Sequence, residues 1–202
     1  MANYIFAPMA TFGVSEYPFV TWNDAFNDDE INKLVDYCNT LKFQKATVGM
    51  GEENATVTKI RESKVAWVDN THESGWIYDR LAYVARGLNG QFYKFDLYGF
   101  SEHMQFTVYE EDSGGHYTWH IDSGGCSHST PPRKLSLVLQ LSDPSEYEGG
   151  DLEVFTSSEP TKIDKKKGLI AAFPSYTLHR VTPVTKGTRR SLVIWVTGPA
   201  FK

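Results

Sequence analysis

From Phe92 to the C-terminus the chain is cut into short aromatic or β-branched segments, and this pattern limits its fold more than any other feature. The segments are FYKFDLYGF, EHMQFTVYE, GHYTWHID, KLSLVLQLS, GDLEVFT, GLIAAFPS, TLHRVTPV and RRSLVIWVTG, with Gly, Pro, Ser and Asp at the breaks. Eight strands this short, with turn chemistry between them, predict an antiparallel barrel or jelly roll.

The first half carries a different pattern. YPFVTWN reads as a short strand, and NDDEINKLVDYCNTL then places Ile31, Leu34, Val35 and Cys38 at i, i+3, i+4 and i+7, one apolar stripe on a helix. Asn27 with Glu30 three positions later predicts a capping box at its start. SKVAWVDN reads as a strand, and SGWIYDRLAYVARGLNG as a second helix through Ile77, Leu81, Val84, Ala85 and Leu88, weakened at its end by Gly87 and Gly90. Two helices would buttress one β-core. A chain of 202 residues suits one domain, expected over 1–202, with helical support to about residue 95 and the β-core over about 96–202.

Charge and cysteine usage narrow the function classes. A net charge of −5, with one dense basic run at Lys165-Lys166-Lys167, gives no electrostatic footprint for nucleic acid. Cys38 and Cys126 are far apart and show no metal-type spacing, which predicts two free thiols in a reducing compartment. The N-terminus lacks a basic start followed by an apolar run, and no segment approaches 18 unbroken apolar residues, so the expected location is the cytoplasm, without membrane contact.

Chemistry enters at His120-Ile121-Asp122. In a strand, residues i and i+2 point to one side, so the imidazole and the carboxylate can face one point while Ile121 packs elsewhere. His179, in SYTLHRVTPV after the segment GLIAAFP, can supply a third ligand from a neighbouring strand. Two imidazoles and one carboxylate on one face of a metal leave three positions open, the arrangement of ferrous oxygenases. A His-x-Asp can also serve only to stabilise a strand end, and the triad by itself is evenly balanced between the two readings. Arg189, ten residues after His179, tips the balance. Lys186-Gly187 reads as a turn, and TRRSLVIWV as a strand that returns Arg189 beside the metal strand. A guanidinium inside a barrel is costly unless paired, and a dicarboxylic cosubstrate supplies the pair. Arg190 would point outward.

HYTWHID, EYEGGDLEVF and PSYTLHRVTPVTKGTRRSLVIW, in that order, resemble the prolyl 4-hydroxylase-like branch of the 2-oxoglutarate/Fe(II) oxygenases, from about Tyr109 to the end. The resemblance implies a double-stranded β-helix (jelly roll), mainly β with flanking helices. It implies an oxidoreductase, a dioxygenase using Fe(II) and 2-oxoglutarate as cosubstrate, with ascorbate as reductant. It assigns His120, Asp122 and His179 to the metal, Arg189 and Tyr109 to the far carboxylate of 2-oxoglutarate, and Tyr117, Arg133 and Trp195 to the substrate side. Gly149 and Gly150 match a tight turn opposite the metal. The chain departs from the pattern in its longer EEDSGGH loop and in Leu152, where some relatives have a polar residue. Cys126 and His128, in SGGCSHSTPP, read as loop residues near the site rather than ligands. Asp122 separates the chain from related halogenases, which lack this carboxylate. Trp195 stands where nucleic-acid demethylases carry a second arginine. The implied partners are dioxygen and a peptide or protein bearing the target proline. A free amino acid as substrate and a non-catalytic β-barrel binding module are the alternatives, and oligomeric state is left open.

Overall fold

The computed structural model describes residues 17–46, 59–123 and 131–200. Two sheets face each other. The major sheet runs β1 (Val20–Trp22), β11 (Ile170–Pro174), β7 (Arg133–Gln140), β13 (Val184–Thr197), β5 (Met104–Glu110), β4 (Lys64–Val68) and β2 (Gln44–Lys45), with β8 (Tyr147–Gly149) added along the start of β13. The minor sheet runs β10 (Pro160–Lys162), β9 (Leu152–Phe155), β12 (His179–Val181), β6 (His116–His120) and β3 (Arg61–Glu62). All pairings are antiparallel. This is the mainly β, jelly-roll architecture expected from the spacing of the short segments.

The period-2 alternation of the central strands explains why the major sheet is buried on both faces. Met104, Phe106, Leu135, Leu137, Leu139, Leu192 and Ile194 pack outward against the helices α1 (Asp28–Asn39) and α2 (Gly75–Leu88), which contribute Ile31, Leu34, Cys38, Ile77, Leu81, Val84 and Leu88. The intervening residues face the minor sheet, where Tyr109, Val138, Ala171 and Phe173 meet Leu152, Val154 and Val181. Polar residues share that inner face: Gln105, Thr107, Ser136, Gln140, Arg189 and Ser191 are all buried. The apolar outer layer holds the sheet together, and the inner layer carries the polar groups.

The capping box is present: Asn27 accepts from the Glu30 amide at 2.9 Å, and Glu30 accepts from the Asn27 amide at 3.0 Å. Four expectations need correction. Gly87 does not weaken the end of α2. A Cβ there would stand 3.2 Å from the Trp22 ring, so its absence lets that ring close. The helix then continues as a π-helical turn, Asn89–Tyr93, until Lys94 breaks it at φ 57°. FYKFDLYGF is consequently no strand; Gly99 makes one isolated bridge to Thr197. Finally, no turn forms at Lys186-Gly187. β13 begins at Val184 and runs through Gly187, which sits at φ 71° where a Cβ would lie 2.0 Å from the Glu146 carbonyl. The chain therefore crosses between the sheets at Thr182-Pro183, and β13 joins the major sheet rather than flanking β12. The first half also does more than buttress, since β2 and β4 extend the major sheet and β3 extends the minor one.

Candidate metal centre

Strand β12 lies beside β6 with His179 opposite His120. From β6 to β12 the register slips: Val181 pairs with Tyr117, three residues from His120, while on β12 the separation is two. That bulge puts both Tyr117 and His120 on the inner face, and their rings stack with centroids 3.4 Å apart. β6 ends at His120, so Asp122 converges from just beyond the strand rather than within it. Its amide donates to the Ser175 carbonyl at 2.8 Å, which fixes the turn, while Ile121 points to solvent at 49 % exposure.

The three side chains meet. Ligand atoms of His120, Asp122 and His179 all lie within 4.8 Å of one another. His120 Nε2 is 3.7 Å from Asp122 Oδ1, and His179 Nε2 is 3.6 Å from Oδ2. Each imidazole is oriented from behind: His120 Nδ1 donates to the Thr118 carbonyl at 2.7 Å, and His179 Nδ1 donates to the Thr177 carbonyl at 2.9 Å. A carbonyl can only accept, so these bonds place the protons on Nδ1 and leave both Nε2 lone pairs aimed at the shared point. Burial and the neighbouring His179 push His120 down to about 4, which keeps it a neutral donor near pH 7. Burial acts to raise the Asp122 carboxyl, but His179, His120 and a 2.7 Å hydrogen bond from Ser136 Oγ outweigh it and hold the group ionised. The Trp195 indole N–H also helps hold Asp122 down, yet it makes no hydrogen bond of ordinary geometry. Two imidazoles and one carboxylate, with supporting bonds behind each, fit a divalent cation.

Across the barrel from the triad, Arg189 is 1 % exposed. Nη2 donates to Gln140 Oε1 at 2.9 Å and the guanidinium sits over the Tyr109 ring at 5.4 Å. Among the described residues no carboxylate pairs with it. Arg189 Nε and Gln140 Nε2 are both buried donors without a partner. Tyr109 stands directly opposite Arg189 on β5. Tyr147 lies on the other side; its hydroxyl is raised by burial, and the nearby Arg189 works against that rise. Gly150 leaves the space: at φ 60°, a Cβ there would come within 3.1 Å of Arg189 Cδ and 2.9 Å of Val184. An unpaired charge at this depth is costly, so Arg189 and the two orphan donors fit an incoming anion.

Of the residues expected to face a substrate, Tyr117 is half-buried against His120, and burial raises its hydroxyl. Arg133 forms an ion pair with Glu102 and stacks over Trp195 at 3.7 Å, with Nη1 3.4 Å from the Asp122 carbonyl. Leu152 is buried in the inner apolar cluster. Cys126 and His128 lie outside the described residues. Sequence reasoning missed Ser136, Ser175, Gln140 and Tyr147, which touch the site through hydrogen bonds or charge without any motif. It also missed Arg61, in a region read as fold support; the signal was an arginine inside the segment KIRESKVAW, beside a strand.

Residues 104–197 match the family profile described as the 2OG-Fe(II) oxygenase superfamily. A PKHD-type hydroxylase of Prochlorococcus marinus is 44 % identical over 87 residues, 43 % of this chain and 38 % of that protein. The chain thus spans well under half the length of this curated relative. Among solved structures, a prolyl hydroxylase from Trichoplax adhaerens, in complex with a hypoxia inducible factor peptide fragment, superposes with a TM-score of 0.71 at 18 % identity, covering 90 % of this chain and 84 % of that one. The viral collagen prolyl hydroxylase of Paramecium Bursaria Chlorella virus-1 gives 0.67 at 24 % identity, covering 92 % and 99 %. At those identities the structures establish a shared fold. The sequence match likens residues 104–197, just under half of the chain, to the 2OG-Fe(II) oxygenase superfamily, and the convergent His-Asp-His geometry lies within that stretch.

Proposed function

We propose that the protein is an iron(II)- and 2-oxoglutarate-dependent dioxygenase that hydroxylates a prolyl residue in a peptide or protein. The observation that carries this reading is the pairing of an open three-ligand cluster with a buried, uncompensated guanidinium inside one barrel. Either alone has a structural use; together they fit a metal and a dicarboxylate that bridges towards Arg189. His120, Asp122 and His179 would hold the iron, and Arg189, with Gln140 and Tyr109, the far carboxylate. Bound iron and 2-oxoglutarate supply the oxidising power, coupling dioxygen reduction and decarboxylation of the cosubstrate to succinate to insertion of an oxygen atom into a C–H bond.

The chain's own residues set the geometry. Thr118 and Thr177 carbonyls fix the imidazole tautomers, and Ser136 fixes the carboxylate. The apolar inner residues Phe173, Val154 and Val181 exclude water around the reacting groups. Tyr117 and Trp195 line the approach to the triad, where a proline ring would sit. Ascorbate would serve as reductant for the iron. No described helix is long and apolar enough to cross a membrane, and the buried, unpaired Cys38 thiol suits a reducing cytoplasm. Both halves of the chain contribute strands to the two sheets, so we take 1–202 as one catalytic unit.

Succinate release from 2-oxoglutarate, dependent on added iron(II), is the first test. Mass spectrometry of proline-containing peptides for a shift of about +16, the mass of one oxygen atom, is the second. Iron-independent or absent succinate release rejects the dioxygenase reading. Succinate release with oxidation only at other residues rejects the prolyl one.

A further inference from the structure

Among the described residues two arginines are buried, Arg189 and Arg61. The arginines beside the site that are less buried, Arg133 and Arg180, are already bonded to Glu102 and Glu153. Arg61 is not bonded to any described carboxylate. It stands on β3 opposite Tyr117, 7 % exposed. Nε donates to Ser63 Oγ at 3.0 Å and Nη2 to Gln105 Oε1 at 2.7 Å, both neutral partners, and Nη1 has none among the described residues. The guanidinium lies 4.7 Å over the Tyr117 ring, whose other neighbour is His120. A full positive charge is thus held one aromatic ring away from a candidate metal ligand.

Charge balance says what is missing. With a divalent cation and a dicarboxylate in place, the cation and Arg189 are cancelled by Asp122 and the cosubstrate. Among the described residues Arg61 is then the surplus. A buried, unneutralised guanidinium is costly, and a carboxylate is the group its planar fork matches.

We infer that Arg61 anchors a carboxylate carried by the substrate, placed so that the neighbouring carbon framework reaches the triad past Tyr117. This rests on the dioxygenase reading. The carboxylate has two sources, the α-carboxylate of a free amino acid or an Asp or Glu side chain flanking the target in a peptide.

Matched acid and amide probes separate them. Wild-type protein loaded with iron(II) and 2-oxoglutarate, without dioxygen, is titrated with L-proline and L-prolinamide. It is then titrated with N-acetylated, C-amidated tripeptides carrying Asp or Glu beside proline, each against its Asn or Gln counterpart. We expect the acid to bind about tenfold or more tightly than its amide in one arm, as a charge-assisted hydrogen bond allows. Preference in the first arm identifies a free amino acid, and in the second a peptide. Arg61→Met should remove the preference while amide affinity is retained, and Arg61→Lys should restore part of it. Thermal melting checks that each variant is folded, and should Arg61→Met not fold, the Arg61→Lys and wild-type comparisons still decide. Equal binding of acid and amide in every pair, no binding of any acid, or a preference that persists without the guanidinium overturns the inference. Acid preference in a preparation that releases no succinate once dioxygen is admitted would instead reject the dioxygenase reading, and with it the substrate role, while the carboxylate site at Arg61 stands.

Discussion

Asp122 is the residue on which most of the site's bonds converge. It lies between two imidazoles, accepts from Ser136 Oγ at 2.7 Å, and is held at its backbone by Ser175. Ser136→Ala removes that hydrogen bond without touching a ligand. Iron(II) affinity should fall about 10–100-fold, the usual cost of losing a partner behind a metal ligand, in an equilibrium dialysis series. Arg189→Met tests the other end. It should raise the concentration of 2-oxoglutarate needed for half-maximal turnover by about 10-fold or more, with iron binding retained, because a charge-assisted fork is worth roughly 1.5–3 kcal/mol. The three converging side chains and Arg189 were legible in the sequence because their chemistry is rare enough to stand out. Ser136, Gln140 and Tyr147 were not, since a serine, an amide or a phenol in a buried strand becomes informative only when its neighbour across the barrel is known.

At the level of elements, local signals were the readable ones. The Asn27–Glu30 box predicted where α1 starts, and it starts there. Asn27→Ala should cost about 1 kcal/mol. In a chain this size that lowers Tm by roughly 2–4 °C in a thermal melt, with succinate release unchanged below the transition. Long-range placement was harder to read. Lys186-Gly187 has turn composition, but the glycine serves a close approach to Glu146 within a continuous strand. Arg189 therefore reaches the barrel from the major sheet, opposite the triad. The i, i+2 rule also brought His120 and Asp122 together for an incomplete reason: Asp122 lies beyond the end of β6, and β6 is bulged, which brings Tyr117 and His120 to the same face. Sequence periodicity cannot register an unpaired residue of that kind.

For the molecule as a whole, the division of labour is between an apolar layer that holds helices to sheet and a polar inner layer that carries the site. Cys38 belongs to the first, fully buried between α1 and its neighbours. Burial pushes its thiol from 9.0 up to about 12. Because the folded value is raised, the thiol's contribution to stability is fully present below pH 9 and is lost as pH climbs towards 12. In urea melts, the stability advantage of wild type over Cys38→Ala should therefore shrink by about 2–4 kcal/mol across that window. A pH-independent gap would show that the thiol is not sealed in the core. The fold class was readable from the rhythm of short strands, and the helices from their stripes. The contribution of β2 and β3 to the two sheets was not, because two-residue strands such as Gln44–Lys45 and Arg61–Glu62 are too short to show a period.

The most direct measurement is iron(II) stoichiometry in the wild type and in three single variants, His120→Ala, Asp122→Ala and His179→Ala, by anaerobic dialysis with each variant's fold verified by thermal melting. One tightly bound ferrous ion per wild-type chain, and loss of that ion in every variant together with succinate release, is the predicted result. Undiminished iron binding in a folded Asp122→Ala protein, or a wild type that binds none, would contradict the account.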